Sequence, residues 1–225
     1  MLEGREYEDR EMKGILFDCY NTLIDIQIDE DSLATYEPLS RWLTYQGVKI
    51  GPADLMREYK SMVEEELESR HEMFPEISIE KVFGKLCSEH AFLPVDEMRV
   101  GVEAAKVFRA ASMRRFSAFP QSVRLLALLD EYPMGIIANG QRIFSEIELR
   151  YLDLSKYFEF EIFSSDIGHK KPDMRMFKAG AEKLELSPED ILCIGDNFET
   201  DIIPAVKLGM RTYHIEEAWK IFNVI

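Results

Sequence analysis

Polar side chains follow several apolar, strand-like runs of this sequence. Asp18 comes after "GILF", Asn139 after "GIIA", Lys171 after "FEIFSSDIGHK", and Asp196 after "ILCIG", with Asp201 in the next turn. A carboxylate can attack an electrophile or hold a hard cation, and an ammonium group can neutralise an anion. A single Asp after a strand is commonly a turn or capping residue. Several such residues form a site if the fold brings the strand ends together.

The elements around these residues predict that they do meet. After residue 112, short apolar runs alternate with amphipathic, helix-like segments, which predicts a parallel sheet with helices on both faces. The runs "ILF", "GII" and "ILCI" are continuously apolar, as is typical of strands covered on both sides. Ligands of such sheets bind at the carboxyl ends of the strands. We therefore expect the polar residues to line one rim of the sheet.

A long helical excursion separates the first strand from the rest. It contains four amphipathic segments without strand patterns, around "SLATYEPLSRWLTYQG", "PADLMREYKSMVEEELESRHEMF", "SIEKVFGKLCSEHAF" and "VDEMRVGVEAAKVFRAASMRRF". The predicted fold class is α/β, a Rossmann-like parallel sheet core with an inserted all-helical subdomain. We place the core at residues 1–26 and 112–225 and the helical subdomain at residues 27–111.

Composition excludes several kinds of protein. The net charge of −15 over 225 residues argues against non-specific binding to nucleic acid or to an anionic membrane surface. Cys19, Cys87 and Cys193 are widely spaced, which predicts reduced thiols rather than a disulfide framework or a zinc site. The N-terminus lacks an apolar signal core, and no apolar run reaches the length of a membrane span. We expect a cytoplasmic protein; its oligomeric state stays open.

Four short segments carry a family resemblance. "FDCYNTL", "ANG", "KKPDMRMF" and "GDNFETD", in that order, resemble the four signature motifs of the haloacid dehalogenase superfamily. The helical excursion resembles the C1-type cap of the subfamily I hydrolases. The resemblance extends from about residue 13 to residue 215 and implies a hydrolase, typically a Mg²⁺-dependent phosphatase of a small phosphorylated metabolite that works through a phosphoaspartate.

The resemblance also implies a nucleophile and a metal site. It makes Asp18 the attacking carboxylate, and it makes Asp18 and Asp196 ligands of Mg²⁺, a hard cation that prefers oxygen. The third protein ligand in the family is a backbone carbonyl two residues after the nucleophile, which here belongs to Tyr20. Asp201 is expected to position Asp196 or a metal-bound water.

The remaining roles concern the substrate. By resemblance, Lys171 neutralises the charge of nucleophile and phosphoryl group, which is most of what phosphoryl transfer asks of a protein. Thr22 fixes the nucleophile's loop. Asn139 and Gly140 contribute to substrate binding, in part through their backbone N–H groups. Ala138 departs from the family, because a Ser or Thr hydroxyl normally binds the substrate there, and losing one such donor costs about 10²-fold or more.

Tyr20 is the second departure. Phosphatases of the family usually carry a second Asp here, which protonates the leaving alcohol, and such general acid catalysis is worth about 10²–10⁴-fold in rate. Family dehalogenases have Tyr, since a leaving halide needs no proton. The sequence therefore predicts a good leaving group or another proton source.

Two other functions stay open at this point. A 2-haloacid dehalogenase would fit Tyr20, but family dehalogenases lack the acid found at Asp196 and need a cap arginine, for which Arg41 and Arg57 are the candidates. The second is a non-catalytic or weakly active binding protein that keeps the fold and the metal site. It would fit the replacement of the family's usual acid by Tyr20 and of its usual hydroxyl residue by Ala138.

Overall fold

A central parallel sheet organises the chain. The computed structural model describes residues 12–225. Its strands are Gly14–Phe17 (β1), Ile24–Ile28 (β2), Met113–Ala118 (β3), Met134–Ala138 (β4), Phe160–Phe163 (β5), Ile191–Gly195 (β6) and Arg211–His214 (β7). Five of them form the sheet in the order β5-β4-β1-β6-β7, and every neighbouring pair is parallel. The predicted α/β fold class is thereby confirmed.

Helices surround the sheet and precede most of its strands. Their bounds are Leu33–Tyr45 (α1), Pro52–Ser69 (α2), Ile79–Glu89 (α3), Glu97–Ser112 (α4), Pro120–Leu128 (α5), Arg142–Tyr151 (α6), Ser164–Ile167 (α7), Met174–Leu184 (α8), Ile203–Lys207 (α9) and Ile215–Ile221 (α10). Buried residues of β1 pack on both faces of the sheet: Ile15 and Phe17 join one apolar cluster, and Leu16 joins another with Phe177 of α8. Among the described residues, no helix combines the length and apolar character needed to cross a bilayer.

The first four helices, here called the cap helices (α1–α4), lie between β2 and β3 in the chain. They share an apolar cluster that contains Tyr36, Tyr59, Phe83 and Phe108, whose rings contact one another. The two strands pair antiparallel and form a ribbon that joins the cap helices to the sheet. Because the ribbon's two strands are the chain connections to the cap helices, it fixes where those helices leave the core.

The ribbon was not predicted. The helical pattern of "VDEMRVGVEAAKVFRAASMRRF" continues through Phe116, but α4 ends at Ser112 and Met113 turns to an extended conformation with ψ 127°. Pairing of Phe116 with Ile26 outweighs the local helical preference. Helix α10 was also missed. The division of the chain at residues 26/27 and 111/112 stays a prediction; its first boundary falls inside β2, and residues 1–11 lie outside the described part.

Two glycines allow α3 and α4 to approach closely. A Cβ built on Gly101 would lie 2.2 Å from the carbonyl oxygen of Glu80, and one on Gly84 would lie 2.7 Å from that of Glu97. Both neighbouring atoms belong to backbone, so a side chain could be accommodated only if one helix moved. The spacing of these helices therefore depends on glycine at both positions.

We expect Gly101→Ala to lower the free energy of unfolding by about 1–3 kcal/mol, the usual cost of overpacking. This direction is opposite to that of helix propensity, which favours alanine. Denaturant unfolding measures the change. Gly51→Ala is the control, since a Cβ there meets nothing nearer than Asp54 Oδ2 at 3.9 Å. A Gly101→Ala protein as stable as the parent would contradict the close approach.

Candidate active site

Asp18 begins the loop that follows β1, in the middle of the sheet. Its backbone N–H donates to the carbonyl of Ile194 on β6 (2.9 Å), which continues the strand pairing to the rim. Its side chain is buried, with 8% of the residue exposed. One carboxylate oxygen, Oδ2, accepts from the Thr22 hydroxyl at 2.9 Å. The Thr22 carbonyl in turn accepts from the Ser122 hydroxyl at 2.6 Å. The loop is thus held at both ends.

Lys171 joins two carboxylates at this rim. Its Nζ donates to Asp18 Oδ1 and to Asp201 Oδ1, both at 2.6 Å, and the lysine is 4% exposed. The amide of Asn139 fixes the lysine's backbone: Oδ1 accepts from the Lys171 N–H (2.6 Å), and Nδ2 donates to the Lys171 carbonyl (3.0 Å). Asn139, which follows β4, therefore positions Lys171 in the segment that follows the neighbouring strand β5.

Burial and charge shift the protonation of these groups. Burial raises the pKa of Asp18 to about 6; the Lys171 ammonium opposes this shift, and the Asp201 carboxylate adds to it. Burial on its own would lower the pKa of Lys171, but the carboxylates of Asp18 and Asp201 outweigh it and raise the pKa. The lysine therefore stays charged at neutral pH, and Asp18 ionises against a cost of desolvation.

Asp196 brings a third carboxylate to the same place. Oxygen atoms of Asp18, Asp196 and Asp201 all lie within 4.8 Å of one another. Burial raises the pKa of Asp196, and the nearby Asp201 carboxylate adds to the shift. Three carboxylates face one ammonium group here. Such a cluster of oxygen ligands with excess negative charge suits a hard divalent cation.

The turn after β6 positions Asp201 tightly. Asn197 begins it, and its backbone N–H donates to Asp201 Oδ2 at 3.0 Å. Residues Phe198–Ile202 form a π-helical turn. A Cβ built on Gly195 would lie 2.5 Å from the Asp201 Cβ, so glycine is required where the two segments meet. This packing holds Asp201, which is 2% exposed, under the rim.

The segment after β4 differs from the expectation for Gly140. The Gly140 N–H donates to the Ser164 hydroxyl at 2.9 Å, so it is not free to bind a substrate anion. The Asn139 N–H has no acceptor among the described residues, and it is the backbone donor that remains. Ala138 is fully buried in β4.

Tyr20 turns its hydroxyl to helix α6. The hydroxyl lies 2.7 Å from Glu148 Oε2, to which it donates, and 2.7 Å from the Ser145 Oγ. Burial raises the pKa of this hydroxyl well above its usual value. The Tyr20 carbonyl receives no hydrogen bond from the described part of the chain. The side chain is therefore engaged away from Asp18, whereas the carbonyl is available as a ligand.

The two cap arginines do not join this group. Arg41 is exposed on α1. Arg57, also exposed, forms an ion pair with Asp54 on its own helix at 2.7 Å. The three cysteines are buried and free, as expected from their spacing.

Sequence reasoning missed several residues around the rim. The His214 Nδ1 accepts from the Glu216 N–H (3.3 Å), so the proton lies on Nε2, which donates to the Asp196 carbonyl at 2.7 Å. Glu76, from the loop before α3, is buried and accepts from the Ser164 hydroxyl at 2.6 Å. These contacts join segments far apart in the chain, and nothing in the local sequence signals them.

Comparison with known proteins identifies relatives. Residues 12–209 match the haloacid dehalogenase-like hydrolase family. Glyceraldehyde 3-phosphate phosphatase from Pyrococcus furiosus is 35% identical over 89 residues, which is 39% of this chain and 37% of that protein. The 5-amino-6-(5-phospho-D-ribitylamino)uracil phosphatase YigB from Escherichia coli is 32% identical over 123 residues, which is 54% of this chain and 49% of YigB. The chain thus spans about half or less of these relatives' length.

A solved structure shares the fold over nearly the whole chain. The 2-haloacid dehalogenase from Pseudomonas syringae pv. Tomato DC3000 superposes with a TM-score of 0.67 at 21% identity, and the match covers 95% of this chain and 97% of that one. The family match, the rim of strand ends and the order of the motif residues agree with one another. The chain belongs to the haloacid dehalogenase-like hydrolases.

Proposed function

We propose that this hydrolase is a Mg²⁺-dependent phosphatase of a small phosphorylated metabolite, with Asp18 as the nucleophile. The contact that carries the proposal is the Lys171 ammonium, 2.6 Å from both Asp18 and Asp201, beside the third carboxylate of Asp196. A small anion placed here would meet a nucleophile, a fixed positive charge and a cation site together. The phosphatase names of the relatives support the same activity.

The residues present fit a bound Mg²⁺. Asp18, Asp196 and the Tyr20 carbonyl would hold it, with Asp201 beside them, because their carboxylate oxygens cluster and the Tyr20 carbonyl has no donor among the described residues. When bound, the cation screens the repulsion between a carboxylate and a phosphate dianion. The proposed setting is the cytoplasm, without nucleic acid or membrane partners.

The chain's own residues would carry the two chemical steps. An Asp18 oxygen forms a bond to phosphorus while the bond from phosphorus to the leaving oxygen breaks, and the electron pair departs with the leaving group. Water then attacks phosphorus, which releases phosphate and restores the Asp18 carboxylate. Lys171 neutralises charge on the nucleophile and on the phosphoryl oxygens. Thr22 and Asn139 hold these two groups in place, and the Asn139 N–H can donate to a phosphoryl oxygen.

The leaving group would receive no proton from residue 20. The Tyr20 hydroxyl is committed to Glu148 and its pKa is raised, so it cannot replace the family's usual acid. Ala138 also lacks the usual hydroxyl donor. Both features favour substrates whose leaving group is already a weak base, such as acyl or aryl phosphates.

Tyr20 and Ala138 also favour an alternative, a binding protein that keeps the fold without turnover. Fluoroberyllate with Mg²⁺ mimics a phosphoryl group on an aspartate and tests this alternative directly. Binding that depends on Asp18 supports working transfer geometry; a folded protein that binds none and turns over no ester is the non-catalytic form. A 2-haloacid dehalogenase would instead release halide from 2-chloropropionate without metal, and the placement of Arg41 and Arg57 outside the site disfavours it.

Asp18→Asn should lower phosphate release by at least about 10³-fold, because an amide cannot attack phosphorus as the proposed nucleophile does. A phosphate-release assay with an aryl phosphate and Mg²⁺ measures the loss. Asp153→Asn is the matched control, as Asp153 is exposed and pairs with Lys156. Activity that survives in Asp18→Asn would rule out the covalent route.

Mg²⁺ should raise the thermal stability of the protein, since it binds a site formed by folding. At about 100 times the dissociation constant the gain is about 2.7 kcal/mol. Differential scanning fluorimetry with and without Mg²⁺ measures it. The shift should disappear in Asp196→Asn and persist in Glu199→Gln, a neighbouring exposed acid. A wild-type protein without any shift speaks against the metal site.

Turnover should depend steeply on the leaving group. With Mg²⁺ present, we expect kcat/KM for aryl or acyl phosphates to exceed that for alkyl phosphates by about 10²–10⁴-fold, the usual contribution of a general acid. A panel of phosphate esters with graded leaving groups measures this slope. Equal rates on aryl and alkyl esters would show that another group supplies the proton.

A further inference from the structure

A buried polar network joins three distant parts of the chain near the active site. Tyr20, in the nucleophile's loop, donates to Glu148 Oε2 of α6 at 2.7 Å. Arg109 of α4 donates to the same carboxylate, from Nε to Oε1 at 2.7 Å and from Nη2 to Oε2 at 3.2 Å. Glu148 is 5% exposed and the Arg109 side chain 11%. The carboxylate therefore receives charge-assisted hydrogen bonds from both a cap helix and the catalytic loop.

The Tyr20 ring is fixed on both sides as well. The Arg109 guanidinium lies 5.4 Å from the ring centroid. On Gly140, a built Cβ would lie 3.2 Å from Tyr20 Cε2, so the glycine backbone packs closely against the ring. The Ser145 hydroxyl, 2.7 Å from the Tyr20 hydroxyl, is also 3.1 Å from the Gln141 carbonyl, to which it can donate. With its one proton donated to Glu148, Tyr20 has no rotational freedom left for a role at the leaving group.

The position of Arg109 shows which segments of the chain this network connects. Arg109 lies in the last turn of α4, just before Ser112 ends the helix and the chain enters the β2–β3 ribbon. The same ribbon begins at Ile24, a few residues after Tyr20. The network therefore bridges the two chain connections between the cap helices and the core, next to Asp18.

We propose that Tyr20 is a positioning residue that ties the nucleophile's loop to the cap helices through Glu148 and Arg109. Residue 20 then serves to connect two segments instead of donating a proton. The loop that carries Asp18 and the end of α4 keep the same distance and orientation when the cap helices cover the site. The kinetic part of the test rests on the proposed phosphatase function, whereas the exchange part does not.

Hydrogen–deuterium exchange tests the link without any substrate. In Tyr20→Phe we expect exchange to become about tenfold faster or more in the 19–24 loop and in the segment 109–118, as loss of a hydrogen bond to a charged group allows. Exchange in α8 should not change. Tyr132→Phe, at a half-buried tyrosine on the core cluster, is the control. Unchanged exchange in 109–118, or faster exchange confined to the loop, would overturn the link.

Kinetics separate positioning from proton donation. Tyr20→Phe should lower kcat by the same factor for aryl and alkyl phosphates and leave the shape of the pH–rate profile unchanged. A loss concentrated on alkyl phosphates, or a lost limb of the profile, would make Tyr20 the acid instead. Should no ester be turned over while the exchange result holds, the phosphatase proposal fails and the link stands.

Arg109 variants provide the rescue test. Arg109→Lys keeps the charge, so the amide hydrogens of residues 19–24 should exchange nearly as slowly as in the wild type. In Arg109→Met they should exchange as fast as in Tyr20→Phe. The double variant of Tyr20→Phe and Arg109→Met should add little to Arg109→Met, because both act through Glu148. Where Arg109→Met does not fold, Glu148→Gln makes the same comparison. Full additivity would show that the two residues act separately.

Discussion

The site depends on one buried ammonium group held between two carboxylates. Asp18 and Asp201 would otherwise place two negative charges at the buried end of adjacent strands, where each uncompensated ion costs several kcal/mol. Lys171 Nζ lies 2.6 Å from both and offsets that cost. Asn139 fixes the lysine's backbone, and the two carboxylates hold its ammonium group at the rim. The interaction that stabilises the site is also the one that would neutralise the reacting groups.

The sequence predicts this part of the molecule well, for a physical reason. Strands covered on both faces appear as continuous apolar runs, so β1, β4 and β6 are visible in the sequence, and parallel pairing brings their ends to one rim. Asp18, Asn139 and Asp196 are therefore placed by local pattern and topology alone. Lys171 also follows an apolar run, at a greater distance from it, and the family resemblance supplies its role as the neutralising cation.

Other features depend on contacts between distant segments and could not be predicted. The residues of β3 continue the helical pattern of α4, and only pairing with β2 makes them a strand. The sequence raises the question of Tyr20 but contains no indication that its hydroxyl meets Glu148, more than a hundred residues later in the chain. The same holds for Ser164, whose hydroxyl accepts the Gly140 N–H expected to face substrate.

Tyr20 and Ala138 differ from the side chains usual in the family, but the arrangement of the other site residues is kept. Asp18, the Lys171 ammonium group and the carboxylate cluster keep the arrangement that the proposed phosphoryl transfer would need. The side chains that usually assist a leaving alcohol and bind one phosphoryl oxygen are replaced here by Tyr20 and Ala138. We therefore predict an enzyme whose covalent step works and whose substrate must supply its own good leaving group.

Mass spectrometry of the protein quenched during turnover shows directly whether Asp18 is the nucleophile. With Mg²⁺ and an acyl phosphate, we predict the mass of one phosphoryl group on the peptide that contains Asp18, in a bond that hydrolyses on incubation. Turnover of the same substrate with no modification at Asp18, or with modification of another residue, would contradict it.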